Sequence, residues 1–446
     1  MSFPWHDAMP VTYGGALPAQ ADVVVIGGGV IGVMTAWHLA ERGLSVVLCE
    51  KGRIAAEQSS RNWGWIRQQG RDLAELPIMM ESMDLWCQMA AQMPGLGFRQ
   101  QGVMYLARSH DEMLGFERWM VQARVMGLDV RLQSSAQVHG RYPGATMQWV
   151  GGLFTQSDAM AEPWVAVPLL AAGAVERGAV IVEGCAARRL DRAGGRVVGV
   201  HTERGRIACD QVVVAGGAWS SLFLAAEGVR LPQLSVLASV LQTEPTGQVT
   251  DGCLADDRMG VRRRADGGYS LAPGASHDFY IGPDAFRNLR LYLPVLKTDF
   301  RKTRFRAAAP PDFPDGWRTA RDWSPDQQSP FERLRILNPA PNVKALNKVL
   351  DDFATAFPEV GRPVIRTAWA GMIDTMPDVV PVVDRVASVQ GLVIATGMCG
   401  HGFGIGPGIG RVVADLVAGN PVGHDLTRFR LARFSDGSPL MPAASL

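Results

Sequence analysis

Residues 22–51 run Asp-Val-Val-Val-Ile-Gly-Gly-Gly-Val-Ile-Gly-Val-Met-Thr-Ala-Trp-His-Leu-Ala-Glu-Arg-Gly-Leu-Ser-Val-Val-Leu-Cys-Glu-Lys, and few folds accommodate such a stretch. Val23 to Ile26 form a short apolar run suited to a strand buried on both faces. Gly27, Gly29 and Gly32 satisfy G-x-G-x-x-G: the first permits a tight turn, the second a close approach of backbone to pyrophosphate, the third tight packing of helix on strand. A helix over about 30–42 follows and stops at Gly43. Its N-terminal N–H groups and positive dipole end then face the phosphates. A second strand ends at Glu50, where a carboxylate accepts bonds from ribose hydroxyls. Together these features predict a dinucleotide site. The acid favours a free ribose 2′-OH, hence NAD or the adenosine half of FAD, and disfavours NADP.

The 446 residues suffice for two or more domains, and an apolar fraction of 47% with 20% charged residues is ordinary for a globular protein. A net charge of +1 gives no reason to expect nucleic acid or an acidic membrane surface. The densest basic run, Arg262-Arg263-Arg264, reads as a solvated turn before Asp266-Gly267-Gly268. Six scattered cysteines without a C-x-x-C pair argue for reduced thiols in a cytoplasmic setting and against a disulfide framework or metal site. The first residues, Met-Ser-Phe-Pro-Trp-His-Asp, show no secretory pattern, and no apolar run approaches the roughly 18 residues a membrane span needs.

Further along, residues 1–20 look irregular, and 72–93 carry apolar positions at helical spacing with Pro77 near a helix start. Residues 163–178 read as a helix closed by Gly178, with a strand at Val180 to Val182. Residues 196–210 read as a hairpin turning near Glu203 to Gly205. The strand Val212 to Val214, a glycine break and a fresh helix start at Ser220 or Ser221 follow. An ordinary NAD dehydrogenase does not need this second strand-glycine-helix unit; a larger flavin domain does. Residues 231–340 are richer in Pro, Arg and aromatics, with alternating strands expected at Val236 to Gln242, Gly268 to Leu271 and Leu289 to Leu293. Residues 391–419 read as a strand, a long glycine-rich loop with glycine at 397, 400, 402, 404, 406, 408 and 410, and a helix from Arg411. Such a loop lets backbone lie flat against a large planar ligand.

Asp22 to Lys51, Gly199 to Ser220, the block from Trp369 to Val382 and Thr396 to Gly410 carry a resemblance to the FAD-dependent D-amino-acid-oxidase-like superfamily, in its glycine oxidase, sarcosine oxidase and D-amino-acid dehydrogenase branch. The resemblance implies an α/β (α+β) fold: a Rossmann-like FAD-binding domain of glutathione-reductase type (1–90, 151–230 and 341–446) with a second, mostly antiparallel substrate domain (91–150 and 231–340). It implies FAD held by Gly27, Gly29, Gly32, Glu50 and Lys51. Ser59, Ser60 and Arg61 would run along the phosphate or flavin edge, Ala215, Gly216 and Trp219 beside the adenine, and Gly400, His401, Gly402, Phe403 and Gly404 along the ring. The implied reaction is oxidation of a CH–NH bond in an amino acid or a secondary or N-substituted amine, giving an imine that hydrolyses. Electrons pass to O2 or a quinone.

Arg67, Arg71 and Arg366 are candidate clamps for a substrate carboxylate. Trp63, Trp65 and Trp369 are candidates for an apolar or cation-binding wall or, equally, for core. Arg67, His401 and Trp369 are placed nearest the chemistry, with His401 read either at the flavin edge or as loop packing. Two alternatives stand beside this reading: an FAD-dependent hydroxy-acid dehydrogenase, which needs a general base, and a flavoprotein subunit of an electron-transfer complex. Association of copies into a homo-oligomer is left open. Where sarcosine oxidase tethers its flavin through a cysteine this chain has Gly371, so FAD is expected to be non-covalent. Acid precipitation of the yellow protein should release the colour to the supernatant; colour retained in the pellet would contradict this.

Overall fold

The computed structural model describes residues 5, 6, 8–274, 276–300 and 302–441. Parts of the expected irregular N-terminus (1–4 and 7) and of the flavin-domain assignment (442–446) lie outside the described residues. In chain order, the elements that frame the site are β1 (Val23–Ile26), α1 (Val30–Glu41), β2 (Val46–Glu50), α2 (Leu76–Gln92), α3 (Pro163–Glu176), β3 (Val180–Glu183), β4 (Gln211–Val214), β5 (Leu234–Thr243), β6 (Ile365–Thr375), β7 (Val382–Arg385), β8 (Leu392–Thr396) and α4 (Gly402–Ala418).

β1 forms because its run of β-branched residues is buried on both faces. It lies inside a six-stranded sheet of order β7-β8-β4-β1-β2-β3. The sheet is parallel except for the edge strand β7. Alternate side chains enter opposite layers, as a pleated strand requires. Val23 and Val25 pack with Val33, Met34, Ile409 and Val413. Val24 packs with Val47, Val212, Leu222 and Leu392 on the other face.

The second sheet has the strand order Thr303–Arg306, His277–Tyr280, β5, Tyr269–Pro273, Met259–Arg263, Cys253–Ala255, Val103–Ala107, Gly151–Thr155, Val130–Ser134, with β6 paired along β5. Two of its pairings are parallel and the rest antiparallel. Gly151–Thr155 and β6 fall within segments expected in the flavin domain, yet both hydrogen-bond into this sheet. The chain crosses between sheets within these segments, and no composition shift marks the crossings. Among the described residues no helix is long and apolar enough to cross a membrane.

Three local expectations are corrected. Leu289 to Leu293 is not a strand but opens the helix Leu289–Asp299. Its alternating leucines misled: Tyr292 is the buried residue, and its hydroxyl donates to the carbonyls of Pro232 (3.1 Å) and Thr375 (2.6 Å). Arg262-Arg263-Arg264 is not a solvated turn. Arg262, buried, forks onto both oxygens of Glu162 at 2.9 Å, and Arg264 adds a third bond at 2.9 Å.

The third correction concerns the glycines from 402 to 410, which are helix rather than loop. Their missing side chains admit neighbours instead of freeing the backbone. A Cβ on Gly406 would lie 2.6 Å from Val30 Cγ2, one on Gly408 2.5 Å from the Ile78 carbonyl oxygen, and one on Gly410 2.5 Å from Met34 Cβ. α4 therefore lies directly against α1 and α2. Gly410→Ala should destabilise the protein by about 1–3 kcal/mol, because backbone of α1 stands in the way of the methyl. Gly140→Ala, at an exposed helical site with open space around it, should leave stability unchanged or slightly raised. Thermal unfolding of the two variants checks the contrast.

Candidate functional site

Both sheets line one cavity of about 780 Å³. The first sheet presents the carboxyl ends of β1, β2, β4 and β8 through Ile26, Glu50, Val214 and Thr396. The second presents Tyr105, Leu106, Ala238, Val240, Ala255 and Gly371. A crevice at the carboxyl ends of parallel strands is the general ligand position in such sheets.

The glycine turn shapes one end. Gly27 has φ +112°, and a Cβ there would run into the carbonyl of Ala215. Gly29 and Gly28 line the cavity, whereas Gly32 lies inside α1 against the Gly27 carbonyl, where it serves helix-on-strand packing. Gly28 N donates to Glu50 Oε2 (2.6 Å), Gly52 N to Glu50 Oε1 (2.6 Å), and Val30 N to Ser59 Oγ (2.8 Å). Burial lifts the Glu50 carboxyl to about 7 against the opposing pull of Lys51 and the two N–H donors. Lys51 lines the cavity, but its ammonium binds Glu57 Oε1 (2.7 Å) and two carbonyls and sits 4.3 Å from the Trp219 ring centre. Ala215, Gly216, Trp219 and Ser59 line the same end. Ser60 does not: it is buried, and its Oγ donates to the Glu57 carbonyl. Glu57, which receives Lys51, Trp219 and the N–H of Leu337, carries no motif and was missed.

Arg61 lines the middle of the cavity with its stem, while its head donates to Ala56 O, Asn338 Oδ1 and Ala370 O. Burial lowers its pKa to about 10, which leaves it cationic at neutral pH. Gly371 faces that stem; a Cβ there would lie 3.2 Å from Arg61 Cβ. Trp369, expected near the chemistry, is absent from the cavity wall. It is buried, donates to the Arg61 carbonyl (3.0 Å) and meets Trp164 edge-on at 5.6 Å. Arg366 is also absent from the wall and is half-exposed, 3.1 Å from Asp266. It lies five residues back along β6 from the wall residue Gly371, about 17 Å of extended chain.

The far end gathers Trp63, Trp65, Arg67, Arg71, Tyr105 and the 398–403 segment. Trp63 and Trp65 meet edge to face at 5.3 Å, and Trp65 lies 6.3 Å from Tyr105. Arg67 stands 5.7 Å from the Tyr105 ring centre, donates to the Gln69 carbonyl and gives Nη2 to His401 Nε2 at 3.1 Å. Arg71, a candidate clamp, lines the cavity, and its nitrogens reach Arg67 O (3.0 Å), Glu75 Oε2 (3.1 Å) and His401 O (3.1 Å). Burial pushes His401 down to about 4, so it is neutral at physiological pH. An arginine can only donate, so Nε2 accepts and the ring proton resides on Nδ1. Cys399 (φ +51°) and Gly400 (φ +83°) turn the chain into α4, whose first residues, Gly402 and Phe403, open onto the cavity. Gly404 does not line it; its carbonyl accepts from Ser82 Oγ (2.7 Å) and Trp86 Nε1 (2.9 Å).

Four buried polar atoms on cavity-lining residues, Trp65 Nε1, Ser220 Oγ, Asp374 Oδ1 and His401 Nδ1, have no hydrogen-bond partner. Folded proteins pair such atoms, so those facing the cavity call for a ligand. With two helix N-termini, an acid at the end of β2 and a glycine cradle on one cavity, the residues present fit a flavin dinucleotide.

Residues 22–416 match the family model for FAD dependent oxidoreductases. L-amino acid deaminase from Proteus myxofaciens, solved in complex with anthranilate, superposes with a TM-score of 0.91 at 30% identity, covering 98% of each chain. Sarcosine oxidase subunit beta from Rhizobium meliloti (strain 1021) is 26% identical over 93% of this chain and 89% of its own length. Mitochondrial sarcosine dehydrogenase from Mus musculus is 29% identical over 51% of this chain, a match that spans 26% of that protein's length. The chain belongs to the FAD-dependent oxidoreductase family and is an FAD-dependent enzyme.

A carboxyl raised from 4.5 to about 7 stabilises the cofactor-free protein below about pH 4.5, and that contribution is lost as pH climbs through 7. Glu50→Gln cannot ionise. Its cofactor-free form should unfold at a higher temperature than the parent at about pH 8, the gap closing toward pH 4–5. Its FAD dissociation constant should rise roughly 10- to 100-fold by fluorescence titration, the worth of a hydrogen bond to a charged group.

Proposed function

We propose that this enzyme oxidises the CH–NH bond of an amino acid or a secondary or N-substituted amine, the imine product hydrolysing in water. The observation that carries the reading is Arg67, a planar fork on the cavity wall beside Trp65 and Tyr105, braced through His401 Nε2. Such a fork suits a carboxylate, and the aromatic wall suits an apolar side chain or an amine cation. FAD, when bound, supplies the hydride acceptor at its N5. What the chain adds is position and electrostatics: Arg67 orients the substrate, α4 directs its positive end at the cavity, and the aromatic wall excludes water. The printed names of the similar proteins, L-amino acid deaminase and sarcosine oxidase subunit beta, support an amino-acid or amine substrate.

Oxidation at CH–OH would need a base for the hydroxyl proton. His401 is poorly placed for that task, since its Nε2 lone pair is engaged by Arg67 and Nδ1 carries the proton. Oxidation at CH–NH needs no such base, because a deprotonated amine supplies its own lone pair. The reading as a subunit that serves an electron-transfer partner draws on the name of sarcosine oxidase subunit beta.

Anaerobic mixing with amino acids and amines should bleach the flavin. Bleaching by hydroxy acids and by no amine would refute the proposal. Peroxide release in air against reduction of a quinone-like dye then distinguishes O2 from a quinone as acceptor. Co-purification with a second chain and poor turnover in both assays would favour the subunit reading. Arg67→Gln should raise KM for an amino acid roughly 10- to 100-fold with a smaller fall in kcat, and leave an amine without a carboxylate little changed.

A further inference from the structure

Glu75 lies outside the cavity wall, yet Arg71, Arg67 and His401 close a ring with it. Its carboxylate is fully buried. Oε2 accepts from Arg71 Nη1 at 3.1 Å and stands 3.5 Å from His401 Nδ1, an electrostatic contact rather than a hydrogen bond, so that neither Nδ1 nor Oε1 has a hydrogen-bond partner. Arg71 ties the carbonyls of Arg67 and His401 together, and Arg67 Nη2 donates to His401 Nε2 at 3.1 Å. A buried carboxylate is costly to desolvate, and one salt bridge with an oxygen left over is a poor return for packing alone.

The imidazole explains the arrangement. With the proton on Nδ1, the ring presents N–H to the carboxylate and a lone pair to Arg67. With the proton on Nε2, two donors face each other and the Arg67 fork is driven from its place. We infer that Glu75 is a positioning residue: by favouring the Nδ1–H tautomer of His401, it keeps Nε2 as the acceptor that holds Arg67 toward the substrate carboxylate. This inference rests on the reading of Arg67 as the carboxylate clamp.

The test uses the flavin-loaded enzyme, an amino acid, and the corresponding amine that lacks the carboxylate. Glu75→Gln should raise KM for the amino acid roughly tenfold, about the worth of one charged hydrogen bond, and leave KM for the amine within about twofold. In a His401→Gln background the amide carbonyl can meet Arg67 whatever the neighbour, so Glu75→Gln should add less than about twofold. Tighter amino-acid binding in Glu75→Gln would overturn the inference, as it would mean that only the net charge near the two arginines mattered. Equal damage to acid and amine, or an undiminished effect in the His401→Gln background, would also overturn it. If Arg67→Gln leaves the amino-acid KM unchanged, the clamp itself fails. If Arg67→Gln is damaging and Glu75→Gln silent, only the role of Glu75 fails. Should Glu75→Gln not fold, ¹⁵N NMR of histidine-labelled parent protein decides: the His401 signal, assigned by its loss in His401→Gln, should show Nδ1–H, and Nε2–H would refute the inference.

Discussion

The close approach of α4 to α1 is the constraint on which the site depends. Two helices can direct their N-termini at one cavity only if their axes come together near that cavity, and side chains between them would hold them apart. Glycine at 406 and 410 removes those side chains against Val30 and Met34. Five glycines from 402 to 410 weaken α4 as an isolated helix by roughly 1 kcal/mol each relative to alanine. Burial on α1 and α2 offsets that loss, with Ile405, Ile409, Val412 and Val413 supplying the apolar contacts.

At the far end the controlling physics is electrostatic. Two guanidinium groups, one carboxylate and one imidazole share a space from which water is largely excluded. Each group fixes the state of its neighbours: His401 stays neutral because it is buried among cations, and Glu75 stays ionised because it faces them. A positively charged pocket results in which Arg67 and Arg71 both line the cavity, Arg71 being the more tightly tied to its neighbours.

Much of the first sheet was legible because its signals are local. The turn at Gly27, the helix stop at Gly43 and the strand ends at Glu50 and Val214 are each dictated by residues within a few positions. What escaped was set by tertiary contact. Glycines in α4 look the same in sequence whether they free a loop or admit a neighbouring helix. Arg262 reads as surface until Glu162, 100 residues away, is brought to it. Trp369 shares a strand face with the wall residues Gly371 and Ile373, but its indole is taken up by Arg61 and Trp164, and Arg366 lies farther back along the same strand. Glu57 and Glu75 belong to no motif, and only their partners give them meaning.

The forked pairing of Arg262 and Arg264 with Glu162 bears on how small molecules enter and leave. Glu162 immediately precedes α3, which packs on α1 beside the first sheet, and Arg262 lies on a strand of the other sheet, so the pair rivets one layer to the other. Prising the layers apart would break three charge-assisted hydrogen bonds at once. Such a rivet favours exchange by motion of single side chains along the cavity wall, which includes the charged residues Glu112, Asp257 and Lys302, over a swing of the two halves.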